Sequence, residues 1–130
     1  MKKIIVIDSY NSDKIAEFLQ KIYKNKAIVS YCPNPENDAD PIPIEEIEGK
    51  YDLFFVSGQM IFYKQISLIA LLEKHGEKEA KVVVMSTSHY YLEGVKNRAF
   101  VDFLLDKSPI LDSLGGDVTD GLKERLESYL

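Results

Sequence analysis

Cysteine is almost absent from this chain: among 130 residues there is only Cys32. That excludes an internal disulfide and leaves too few thiolates for a metal cluster, so a reducing cytoplasm fits. Long apolar runs are missing too, and none approaches the ~18 residues of a membrane span. Met1-Lys2-Lys3 is followed by only four apolar residues before Asp8, too short a core for a secretory signal. Basic residues are in deficit, with 16 Lys and Arg against 21 Asp and Glu and a net charge of −5. A nucleic-acid surface needs clustered Lys and Arg, so no nucleic-acid partner is expected. An anionic membrane is no better suited. What is left is an ordinary globular composition, 45% hydrophobic, at a length that implies one domain with a real core.

Short β-branched runs alternate with helical patterns. Residues 4–7 (IIVI) read as a first strand closed by Asp8, and Asn11 or Ser12 can cap the helix that follows. Ile15, Phe18, Leu19, Ile22 and Tyr23 recur at helical spacing to about residue 25, and residues 27–32 make a second strand. Residues 33–43 (PNPENDADPIP) hold four of the five prolines and read as an exposed loop, with a turn of helix after it at 44–48. Its acids, Glu36, Asp38 and Asp40, lack the glycine and distal Glu of a calcium loop. Residues 52–56 read as a strand whose apolar run begins after Asp52 and stops at Ser57-Gly58, as expected of a central parallel strand covered on both faces.

An apolar helix is expected over 61–75, with Phe62, Ile66, Ile69 and Leu72 inward and Leu68 and Leu71 widening the stripe. Gly76 would end it. Residues 81–86 and 100–105 read as strands, 90–97 as a short helix, 109–116 as irregular and 117–130 as a terminal helix. Strand–helix alternation with right-handed crossovers predicts a flavodoxin-like three-layer α/β sandwich. Its five-stranded parallel sheet should run in the order 2-1-3-4-5.

In such a sheet, ligand-facing groups gather at the carboxyl ends of the strands. Here those ends are IIVIDS, YDLFFVS, VVVMST and DFLLDKSP. With these motifs the chain resembles the response-regulator receiver domain over nearly its whole length. That family carries an acidic pair after strand one, a phosphoacceptor aspartate after strand three, a Ser or Thr after strand four and a lysine after strand five. On that resemblance, Asp8 is the first acid and Ser9 replaces the second. Ser57 stands in the acceptor position, and Thr87 keeps the hydroxyl. If Phe103 takes the place of the switch aromatic, Asp106 falls on the lysine and Lys107 comes one residue late. A slip of one residue turns a strand side chain to the opposite face unless a bulge resets it.

Aspartyl phosphorylation needs a carboxylate nucleophile and a Mg²⁺ held largely by oxygen ligands. Of three carboxylates only Asp8 remains, so weak Mg²⁺ binding is the most expected, with no other cofactor. The resemblance implies a pseudo-receiver: no enzyme, a signalling domain working through protein contacts. It also implies where a protein partner or weak homodimer would dock, on the face of the fourth helix, fifth strand and fifth helix. That face would carry Tyr91, Val95, Arg98, Asp102, Lys123 and Arg125. Leu68 and Leu71 mark either a competing surface or a deeply buried helix.

Other readings stay open. The hydroxyl-rich loop from Ser9 to Asp13 could hold a phosphate, as in flavodoxin-type flavin binding, although SYNSD has no glycine. IDSYNSD and VMSTSHYYL look like segments of a class I glutamine amidotransferase, with Ser86 where that family has its nucleophilic cysteine. A hydrolase would need His89 as the base for Ser57, and FVSGQ is not the usual nucleophile elbow. The tyrosines 10, 63, 90 and 91 read as rim packing.

Overall fold

Valine, isoleucine and phenylalanine fill the runs that become strands, because branched and aromatic side chains pack well on a pleated surface. The computed structural model describes residues 1–33, 41–75 and 79–130. Gly76 and the acids Glu36, Asp38 and Asp40 lie outside the described residues. Strands β1 (Lys2–Ile7), β2 (Ala27–Tyr31), β3 (Leu53–Ser57), β4 (Lys81–Ser86) and β5 (Phe103–Asp106) form one parallel sheet, ordered β2-β1-β3-β4-β5. The helices are α1 (Ser12–Tyr23), α2 (Ile44–Ile47), α3 (Gly58–Phe62), α4 (Ile66–His75), α5 (His89–Val95), α6 (Ser108–Ser113) and α7 (Asp120–Ser128). The architecture is the expected flavodoxin-like α/β sandwich.

Alternation along the strands divides the core in two. Ile4, Val6, Leu53, Phe55, Val83, Met85 and Leu105 pack with α1, α6 and α7. Ile5, Ile7, Phe54, Val56, Val82 and Val84 pack with α2 to α5 on the other face. β3 is central and buried along its whole length. Truncating Phe55, which is fully buried, would remove transfer energy and leave a cavity, at a cost of about 3–5 kcal/mol. On the α1/α7 face Tyr23 donates its hydroxyl to the carbonyl of Leu126 at 2.7 Å, tying α1 to α7.

The expected helix over 61–75 is two helices. The chain breaks at Tyr63–Gln65, where Lys64 has φ 57, a left-handed conformation that ends α3. Ile66 is consequently 80% exposed instead of inward, while Leu68, Leu71 and Leu72 are fully buried. The broad stripe is therefore deep burial in α4. The stretch expected to be irregular contains α6, whose first turn accommodates Pro109 because the missing N–H would have no helical partner there. α7 begins at Asp120, later than expected, where Thr119 accepts a hydrogen bond from the Leu122 N–H at 3.3 Å. Among the described residues no helix is long and apolar enough to cross a membrane.

Candidate functional site at the carboxyl ends of the strands

Register decides which strand-end residues share a face. Ile7 pairs with Val56, so Asp8 and Ser57 come next on adjacent strands. Residues 4 and 6, 53 and 55, 83 and 85, and 105 all point to the α1/α7 side. Continuing the alternation puts Asp8, Ser57, Thr87 and Lys107 on that side of the edge, and Ser86 and Asp106 on the other.

Asp8 is 1% exposed, and its carboxylate is fully engaged. Oδ2 accepts from Lys107 Nζ at 2.9 Å, and Oδ1 accepts from the Tyr10 N–H at 3.2 Å. β1 and β5 are three inter-strand spacings apart, about 14 Å in a flat sheet. The Lys107 N–H still donates to the Ser86 carbonyl at 3.1 Å, so its backbone stays beside β4 and its side chain reaches over the strand ends to Asp8. Only 12% of its side chain is exposed. Lys107, rather than Asp106, is the strand-five residue that meets Asp8.

Asp106 is exposed, and its Oδ1 accepts from the Ser108 N–H at 2.9 Å, starting α6. Phe103 lies away from this edge, tilted on Tyr129 of α7 with ring centroids 4.7 Å apart.

The hydroxyls have separate fates. Ser57 is 2% exposed, and its Oγ accepts from the Met60 N–H at 3.3 Å, which makes it the N-cap of α3. Ser12 donates to the carbonyl of Cys32 at 2.8 Å, pinning α1 to the end of β2. Asn11 occupies the cap position of α1 at φ 60 but makes no side-chain cap bond. Ser9 is 5% exposed, and its Oγ has no hydrogen-bond partner among the described residues. Thr87 is exposed, whereas Ser86 is buried and accepts from the Ser88 N–H at 3.0 Å. In the sequence Ser86 stands out only at the cysteine position of the amidotransferase resemblance, although its place at the end of KVVVMS already marks it as a strand-end hydroxyl.

His89, drawn as a base for Ser57, is 86% exposed and pairs with Glu93 at 3.6 Å. The Lys96 ammonium beside Glu93 holds that carboxyl below its usual range. Beside Asp8 lies a cavity of about 280 Å³, lined mainly by Ile7, Cys32, Ile42 and Met60 with flanking prolines. Burial pushes the Cys32 thiol up, so it stays protonated and unreactive. Among the described residues no group of three or more His, Cys, Asp or Glu could hold a metal ion.

No family model matches the chain, and no curated protein sequence matches it either.

A buried carboxylate neutralised by a lysine cannot easily recruit a divalent cation. A capping serine without an adjacent base is a poor nucleophile. The edge can hold a network in place, and the Asp8–Lys107 pair is the strongest element of it.

Proposed function

We propose that this chain is a degenerate receiver domain that signals through protein contacts and carries out no phosphotransfer. The observation that carries the reading is the Asp8–Lys107 ion pair across the strand ends. It brings together the acid after β1 and the lysine after β5, two of the residue types the resemblance expects at these strand ends, with Ser9 and Ser57 standing where that family has carboxylates. Charge sharpens the argument. With one carboxylate facing one ammonium, the site offers Mg²⁺ no net negative charge, so the ion would have to displace Lys107 to bind.

The expected docking face, α5–β5–α7, is the β5 edge of the sandwich, and several of its residues already serve the fold. Val95 is buried, Asp102 accepts from the Val82 N–H at 2.8 Å, and Arg125 donates to the Leu104 carbonyl at 2.9 Å. Tyr91 and the exposed Arg98 are the members best suited to meet a partner.

The test is treatment with a small phosphodonor, read by intact mass with and without Mg²⁺. No hydroxylamine-labile phosphoryl adduct should form. An adduct mapped to Asp8 or Asp52 overturns the reading.

A further inference from the structure

We propose that the groove between α1 and the turn joining α6 to α7 is a docking site for an acidic, amphipathic helix of a protein partner. In a chain of net charge −5, this groove is lined by four lysines, Lys14, Lys21, Lys24 and Lys123, against one carboxylate, Glu17. Glu17 lies 3.6 Å from Lys21, with both side chains more than 70% exposed, so water screens the pair and Lys21 remains available.

Lys24 supplies an independent sign. It sits at φ 51, a conformation that favours glycine, and its backbone is clamped there. Its N–H donates to the Gln20 carbonyl, and the Gln20 side chain donates back to the Lys24 carbonyl at 2.9 Å. A lysine kept where glycine would be unstrained points to a use for its side chain.

The shape selects among anions. The groove encloses about 570 Å³ over an apolar floor that includes Phe18, Ile22, Leu114 and Val118. An occupant therefore needs apolar groups between its charges. Phe18 is only 9% exposed, so no aromatic face is offered to a nucleobase. Arginine, the residue suited to bidentate phosphate contacts, is absent from the lining. Lys14 and Lys21 are two helical turns apart, about 10.5 Å along α1. Acids seven residues apart on a partner helix match that spacing, with the apolar stripe between them on the floor.

The inference does not depend on the chemistry at the strand ends. The test uses the full chain and a fluorescein-labelled, alanine-based helical peptide with glutamates at i and i+7 and leucines at i+3 and i+4, followed by anisotropy. Binding should weaken about tenfold or more in Lys14→Glu/Lys21→Glu and fall with added salt. Lys2→Glu/Lys50→Glu, which changes net charge equally at exposed positions elsewhere, should bind as the parent does. Circular dichroism checks that both variants are folded.

Absence of peptide binding at low salt, or equal loss in both variants, overturns the proposal. So does tighter binding of single-stranded oligothymidylate that is lost in the same groove variant. A chain that is phosphorylated yet still captures the peptide would overturn the proposed function and leave the groove assignment standing.

Discussion

Lys107 and Asp8 lie 99 residues apart in sequence and 2.9 Å apart in space, joined across the ends of the two strands that separate theirs. Asp8 is 1% exposed and Lys107 12%, so the pair is buried. Lys107→Met should cost about 3–5 kcal/mol, the usual penalty for stranding one member of a buried pair. Asp8→Asn/Lys107→Met should recover most of that loss, since the stranded charge is then gone. Urea unfolding of the two variants measures both effects. Equal destabilisation of single and double variants would show that the lysine's packing, not its charge, is what matters.

Ser9 and Ser57 predict a difference between relaxing the site and rebuilding it. Ser9 Oγ is buried without a partner among the described residues, so Ser9→Ala should be neutral or stabilising, by up to about 1 kcal/mol. Ser9→Asp/Ser57→Asp introduces two carboxylates beside Asp8, and aspartate can still cap α3. This variant should bind Mg²⁺ in calorimetry more tightly than the parent. No gain would mean that the strand ends lack the receiver-like ligand geometry.

Gly94 lets Phe62 lie against α5. A Cβ at position 94 would come within 2.6 Å of Phe62 Cδ2 and Cε2. The ring is hemmed in by Tyr63, Tyr90 and Tyr91, with centroids 5.1 to 5.3 Å away. Alanine ordinarily improves a helix interior by about 0.8–1 kcal/mol over glycine. Gly94→Ala should reverse that sign, lowering the melting temperature and altering the near-ultraviolet tyrosine signal. A rise in melting temperature would show that Phe62 moves aside at little cost.

Tyr23 should make the fold sensitive to alkali. Burial, then the nearby Tyr129 and Glu127, raise its phenol well above the ordinary 10.0. The unfolded chain releases this proton near pH 10 while the folded chain keeps it, so stability is full below pH 10 and falls as pH rises above it. In Tyr23→Phe the loss of the hydrogen bond to the Leu126 carbonyl should cost about 1 kcal/mol at neutral pH. Its stability should also decline less steeply above pH 10 than the parent's. Parallel slopes for the two proteins would assign the alkaline loss to other groups.

The architecture was legible in the sequence because strand and helix periods are local. Residues 4–7, 52–56 and 81–86 are short apolar runs with polar ends, and their alternation with helical patterns leaves few topologies. The positions of Asp8 and Ser57 at strand ends followed directly. Helix breaks were harder to see. The Tyr63–Gln65 turn has no proline or glycine, and Lys64 takes a left-handed conformation, closed by the Gln65 N–H donating to the Met60 carbonyl at 2.9 Å, with no sign of it in local composition.

Which residue after β5 faces Asp8 was a question that sequence alone could not answer. Asp106 and Lys107 are adjacent, both polar and both next to Ser108-Pro109, so either fits the local pattern. Only the register of β5 on β4, with Val83 opposite Phe103 and Ser86 opposite Asp106, puts Lys107 on the α1/α7 side. The lysine groove has the same origin. Lys14 and Lys21 are one helix face in the sequence, but Lys123 comes a hundred residues later and joins them only because α7 packs beside α1 on the same side of the sheet. Local spacing determined the strands and most of the helices. Long-range register and packing decided which charges meet, because an ion pair or a groove depends on distances that sequence separation does not encode.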